Sequence, residues 1–349
     1  MRIQHAIDEL VESGVERGVQ VAVHRDGVLV VDAVAGMADP ATGRRVGSST
    51  PFYNFSIGKG ATAAVVHVLV ERGLFGYETR IVEVWPEFGA HGKDTVTVRH
   101  VLTHSAGVPE VPSGTTPEDL CDWDRMCATV ADARLSWEPG TKIGYHAWTF
   151  GYILGEIVRR ATGRPISQVL RDEVAGPLGV TDELYLGVPE REQGRLARLE
   201  DAEDTHAATL APSAELGNRG DILAANIPAT AATSARAMAR VYAALLGEVD
   251  GVRLISPERL GQVTAIAASG RDELFGNPSV WGLGYAIGLP GAAPGQPSTA
   301  FGMGGAGGSY AFGDTATGIA FALTKNCMTD DFETVTRISR LVTGTAVVG

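Results

Sequence analysis

The hydrophobic pattern changes period several times along the chain. Ile3, Ile7, Leu10 and Val11 recur at helical spacing and predict an amphipathic helix within residues 3–16. Two β-branched runs follow, Val19 to His24 and Val28 to Val34, on either side of Arg25-Asp26-Gly27. Asp-Gly between such runs predicts a hairpin. A polar loop then leads to Ala61–Val70, which has few polar residues and no proline and suits a buried helix of about three turns. Asp94 to Leu102 reads as a helix closing on a turn at Gly107, and Trp137-Glu138-Pro139-Gly140-Thr141 reads as a turn. The apolar spacing from Phe150 to Ala161 predicts a helix stopped by Gly163-Arg164-Pro165. Residues 185–222 are polar, acidic and short of aromatics, and read as an extended, partly mobile surface segment. Ala232 to Leu246 returns to helical spacing, with Ala239, Tyr242, Ala243 and Leu246 on one face. Ser309–Asp314 and Gly318–Thr324 then read as strands, and a last helix runs from about Asp330 to Val342.

Strands at both ends with helices between them predict an α+β fold. Its antiparallel sheet is built from both termini, is flanked by helices and carries a mostly helical inserted subdomain. The whole of 1–349 is expected to be one catalytic domain, with 1–75 and 232–349 forming an α/β subdomain and 76–231 the helical one. Composition agrees with a globular protein: 44% of the 349 residues are apolar and 20% charged. A formal net charge of −12 without a Lys/Arg cluster argues against a nucleic-acid surface and gives an anionic membrane nothing to hold. The first ten residues carry acids, unlike a signal peptide, and no stretch approaches 18 uninterrupted apolar residues. A cytoplasmic, reduced protein is expected. Cys121, Cys127 and Cys327 match no disulfide framework or metal knuckle and read as buried or incidental thiols.

The candidate chemistry centres on Asn54-Phe55-Ser56-Ile57-Gly58-Lys59-Gly60. If a helix begins near Ser56, positions i and i+3 share a face and bring the hydroxyl beside the amine. A buried Lys loses its proton readily and can act as a base toward Ser, while the helix N-terminus offers free N–H groups to an oxyanion. Competing motifs fail. His100 and His104 stand at i, i+4 without H-E-x-x-H or a third ligand, so no metal or other cofactor is expected. Ser309 and Ser105 each lack one glycine of a G-x-S-x-G elbow. The glycines between 302 and 308 are followed by no G-K-[ST], and a strand rather than a helix comes next.

Four stretches occur in a telling order: Ser56-Ile57-Gly58-Lys59, Leu102 to Gly107, Pro139-Gly140-Thr141 with Tyr145, and Phe301 to Gly308. Together they resemble the serine β-lactamase-like proteins, over nearly the whole chain. The likeness is greater to the esterase and transacylase branch (family VIII carboxylesterases and lovastatin-type acyltransferases) than to true class C β-lactamases. The resemblance implies a β-lactamase/transpeptidase-like fold, Ser56 as nucleophile, Lys59 as its base and Tyr145 as a second proton relay. A phenol near an ammonium is expected to deprotonate more easily. It also implies an edge strand at Met303-Gly304-Gly305 beside the site and an oxyanion hole made by the N–H groups of Ser56 and Ala306.

Two departures bear on substrate. The family's Asn two residues after the Tyr is Ala147 here, with His146 between, and its cationic or His position is Met303. A thioether leaves a substrate carboxylate without its partner, so penicillin-type substrates are disfavoured and uncharged, apolar groups favoured. Met303, Gly304, Gly305, His146 and Trp148 are the candidate substrate contacts; Trp123, Trp137, Trp281 and Tyr53 are further candidates for an acyl pocket or for core packing. The expected activity is acyl-enzyme chemistry on a small-molecule ester or activated acyl group. Water as acceptor makes a carboxylesterase; a small-molecule amine or alcohol makes a natural-product acyltransferase of secondary metabolism. A β-lactamase or D-aminopeptidase, and a non-catalytic ligand-binding member, remain the alternatives.

Overall fold

Asp26 and Gly27 both take left-handed backbone, with φ of 49° and 81°. That is the two-residue turn whose twist suits a hairpin, and it joins β1 (Gly18–Arg25) to β2 (Val28–Asp39). The computed structural model describes residues 2–202, 209–293 and 296–344. Further strands are β3 (Arg44–Arg45), β4 (Ala268–Arg271), β5 (Pro278–Trp281), β6 (Ala286–Ile287), β7 (Ala300–Gly304), β8 (Tyr310–Asp314) and β9 (Ile319–Lys325). Among the described residues they form a nine-stranded sheet in the order β3-β2-β1-β9-β8-β7-β6-β5-β4. First and last strands are thus neighbours, with Val19 opposite Lys325 and Arg25 opposite Ile319.

The sheet is covered by α1 (Arg2–Glu12), α2 (Ile57–Glu71), α4 (Ala235–Leu246) and α5 (Glu333–Thr343), while α3 (Thr149–Thr162) packs on α2 away from the strands. Strand alternation divides the sheet into two unlike faces. Val19, Val21, Val23, Phe312, Phe321 and Leu323 form a core with residues of α1 and α5. The other face presents Ala22, Ala311, Ala320 and Ala322, small side chains that let α4 and α2 lie close. Every residue of α2 from Ile57 to Val70 is buried, which explains why its sequence shows no polar stripe.

Three expectations need correction. The strand at Met303 is not at an edge: the sheet continues through β6, β5 and β4, which are only two to four residues long and so carry no alternating signal. β6 pairs only with Phe301 and Gly302, so Met303 and Gly304 still lack a strand partner on that side. Residues 185–222, expected to run extended over the surface, form short elements at Leu184–Tyr185, Glu190–Gln193, Glu200–Asp201, Ala214–Gly217 and Gly220–Ala224. They bury Leu186, Val188, Leu196, Leu199, Leu216 and Ile222, apolar residues too irregularly spaced to register as a period; residues 203–208 of the segment lie outside the described ones. Third, Ala232–Thr233 is a strand, and the helix begins only at Ala235, capped by the Ser234 side chain. That strand pairs with both Phe52–Tyr53 and Leu184–Tyr185, and so ties the segment before Ser56 to the chain around residue 230.

Candidate active site

Ser56 stands at the N-cap of α2, and its side chain makes no capping bond, so its oxygen is free for other partners. Phe55 before it is a non-glycine residue at φ 45°, held there by a buried ring packed edge-on against Tyr53 at 4.9 Å. Such strained backbone is concentrated at functional sites. One turn into the helix, Lys59 is 1% exposed and donates to Ser56 Oγ at 3.0 Å and to the Ala229 carbonyl at 3.2 Å. It has no carboxylate partner among the described residues, and burial pulls its pKa from 10.5 down to about 7. A neutral amine beside a serine hydroxyl is a competent general base. Gly58 makes the close approach possible, because a Cβ there would stand 2.0 Å from the Thr230 carbonyl carbon.

Tyr145 lies beside both groups: Lys59 Nζ is 4.9 Å from its ring centroid, and the phenol is hydrogen-bonded to Ser56. Its backbone is fixed at three successive N–H groups. Gly144 donates to the His104 carbonyl at 3.0 Å, Tyr145 to Asp272 Oδ2 at 2.9 Å, and His146 to His104 Nδ1 at 3.0 Å. His104 sits at φ 56°, fully buried between Tyr145, Phe150 and Trp281. Burial, with His146 and Lys59 nearby, holds its ring well below its usual pKa and therefore neutral. The Tyr145 phenol departs from expectation. Burial pushes its pKa up, opposed in part by Ser56, and the Asp272 carboxylate raises it further. Lys59 does little to ease it: burial leaves the amine only about half charged near pH 7. Tyr145 therefore holds its proton, and its chemistry is that of a donor.

The turn after β7 packs onto the start of α2: a Cβ on Gly305 would stand 2.1 Å from the Asn54 carbonyl oxygen. Neither the N–H of Ser56 nor that of Ala306 has a partner among the described residues. Two unpartnered N–H groups beside a serine hydroxyl can receive an oxyanion. Met303 is 2% exposed and clusters with Ile143 and Trp281, with Tyr145 packed against them. Trp281 stacks on Tyr145 at 6.1 Å and Phe275, 69% exposed, lies 5.9 Å from it on the outer side. The side chain at the expected cation position is thus an enclosed thioether in an apolar wall.

Other candidates fall elsewhere. His146 was a candidate substrate contact, but it is buried with Nδ1 on the Gly144 carbonyl at 2.6 Å and Nε2 accepting from the Val108 N–H at 3.3 Å. With both nitrogens engaged it offers nothing to a ligand. Trp148 is half-buried and packs against the main core. Gly304 turns its Cα face to Phe332 and Tyr310. Trp123 donates to Glu156 and the Tyr53 hydroxyl to Thr230, both within the core. The sequence reading missed Asp272 and Phe275; the signal for them was Asp272-Glu273-Leu274-Phe275-Gly276-Asn277, an Asx-type turn between the strands of a hairpin.

Comparison with known proteins gives a consistent result. A family model described as Beta-lactamase matches residues 3–343. The esterase/beta-lactamase LipL of Mycobacterium tuberculosis is 35% identical over 339 residues, which is 88% of this chain and 77% of that protein. The crystal structure of a family VIII carboxylesterase superposes with a TM-score of 0.89 at 32% identity, covering 97% of this chain and 95% of the other. A penicillin-binding protein homolog from Caulobacter crescentus superposes at 0.87 and 31% identity, with the same coverage.

Proposed function

The chain belongs to the beta-lactamase family, and from that premise we propose that it is a carboxylesterase working through an acyl-enzyme on Ser56. Lys59, about half of it neutral at pH 7, takes the Ser56 proton as Oγ attacks the ester carbonyl. The oxyanion rests on the N–H groups of Ser56 and Ala306. Tyr145 gives its proton to the departing alcohol and regains one from the Lys59 ammonium. Water then attacks the acyl-enzyme, with the same groups moving protons in reverse.

The observation that carries the ester reading is Met303, enclosed by Ile143, Trp281 and Tyr145 where a carboxylate-binding cation would otherwise stand. A substrate bearing a carboxylate would lose water there without gaining a partner. The apolar wall supports an uncharged ester.

Intact-protein mass during reaction with short and long aryl esters tests the proposal. A transient acyl adduct on Ser56, absent in Ser56→Ala and discharged by water, is the expected outcome, with activity down by at least ~1000-fold in that variant. An unchanged rate in Ser56→Ala would sink the mechanism. Adding amines and alcohols extends the experiment to acyl transfer: an adduct that waits for one acceptor class would make the protein a transacylase. Efficient turnover of a chromogenic cephalosporin would overturn the role given to Met303.

A further inference from the structure

Asp272 is 2% exposed and forms no salt bridge among the described residues. Its carboxylate is satisfied entirely by backbone. Oδ1 accepts from the N–H groups of Leu274 and Phe275, each at 2.9 Å, and closes the tip of the β4–β5 hairpin. Oδ2 accepts from the Tyr145 N–H, also at 2.9 Å. The backbone on either side adds two bonds, Asp272 N–H to the Asn277 carbonyl at 2.9 Å and Glu273 N–H to the Ile143 carbonyl at 2.8 Å.

A buried carboxylate without a cation is costly, and the turn alone does not require one. Asn or Ser closes such a turn with a single oxygen. What only a carboxylate provides is the second acceptor, and that acceptor's partner is the catalytic tyrosine's own N–H. The flanking N–H groups of Gly144 and His146 go to His104, so Asp272 is the tie that reaches Tyr145 from the sheet.

We propose that Asp272 is the positioning residue of Tyr145: one oxygen holds the hairpin tip, the other holds the Tyr145 backbone, and together they set where the phenol meets the leaving alcohol. This rests on the acyl-enzyme reading above. Asp272 touches no reacting atom and acts through Tyr145.

The test uses Asp272→Asn and Asp272→Ser, both of which keep an oxygen for Leu274 and Phe275 and lose the acceptor for Tyr145. Asn places an N–H against an N–H; Ser is too short to reach and serves if the Asn variant does not fold. Each is compared with the parent on two esters of the same acyl group, one with an ethyl and one with a 4-nitrophenyl leaving group. An alkoxide needs a proton to leave and a nitrophenoxide does not. The kcat/KM for the ethyl ester is expected to fall about tenfold or more and that for the nitrophenyl ester by much less, a split that a smaller folded fraction would not produce. In a Tyr145→Phe background the Asp272 substitutions are expected to add nothing further. Equal losses on both esters, or a full additional loss in Tyr145→Phe, would overturn the positioning role. If Tyr145→Phe itself lacks the leaving-group effect, the reading of Tyr145 as proton donor fails instead, which separates the two ideas.

Discussion

Replacing Lys59 by Met should make the protein inactive and more stable. The side chain is 1% exposed without a counter-ion among the described residues, and its pKa falls from 10.5 to about 7. That depression corresponds to about 5 kcal/mol against the charged form. At pH 7, where the buried amine is about half protonated, the penalty is about 4 kcal/mol relative to a Lys that titrates normally. Against this stand the bonds to Ser56 Oγ and the Ala229 carbonyl, at about 1 kcal/mol each. Lys59→Met, similar in length and apolar, is therefore expected to gain about 2 kcal/mol at pH 7. The gain carries a sign in pH. Between pH 7 and 10.5 the unfolded parent binds more protons than the folded parent, so parental stability rises with pH across that window. The variant lacks this dependence. Urea unfolding at pH 7, 8 and 9 should show the advantage of Lys59→Met shrinking by as much as about 1.4 kcal/mol per pH unit. Parallel stability curves for the two proteins would refute the argument, because they would mean that the ammonium is not desolvated in the fold.

Three further expectations follow from the same geometry. The kcat/KM of ester hydrolysis should fall on the acid side of about pH 7 as Lys59 takes up a proton; a profile flat from pH 5.5 to 8 would remove it as the base. Gly305→Ala puts a Cβ 2.1 Å from the Asn54 carbonyl oxygen and must shift the turn that presents the Ala306 N–H. The expected cost is about 100-fold in kcat, read by steady-state kinetics, and an unaltered kcat would exclude that N–H from the oxyanion hole. Phe275→Ala removes a ring that is 69% exposed and 5.9 Å from the Tyr145 ring. Stability should stay within about 0.5 kcal/mol while KM for esters of bulky alcohols rises roughly tenfold; the same KM for bulky and small alcohols before and after would place Phe275 outside the leaving-group path.

Much of the fold was legible in local signals. Asp26-Gly27 between β-branched runs specified the hairpin, Gly163 specified a helix end at φ 70°, and the unbroken apolar run after Ser56 specified a helix buried on all sides. The β4–β5 hairpin and the segment after Tyr185 were not legible. Their residues pair or bury one by one through long-range contacts, and neither carries a period that a window along the chain can detect.

The site divides in the same way. Ser56 and Lys59 could be paired from sequence because a single helical turn brings i and i+3 together, and the ordered motifs pointed to Tyr145 and the glycine turn. What the sequence left open is the electrostatics. Whether Lys59 is charged, whether Tyr145 gives up or keeps its proton, and whether His146 faces a substrate all depend on how much water each group retains, and that is decided by segments far away in the chain. Ala229 accepts from Lys59 across 170 residues, with Thr230 packed against the neighbouring Gly58. Asp272 reaches Tyr145 across 127 residues, and His104 holds the backbone on both sides of it. The sequence by itself determined which groups could react. Only the tertiary structure, by excluding solvent and fixing three adjacent N–H groups, left Lys59 with a lowered pKa, Tyr145 with a raised one and His146 spent on backbone partners in the core.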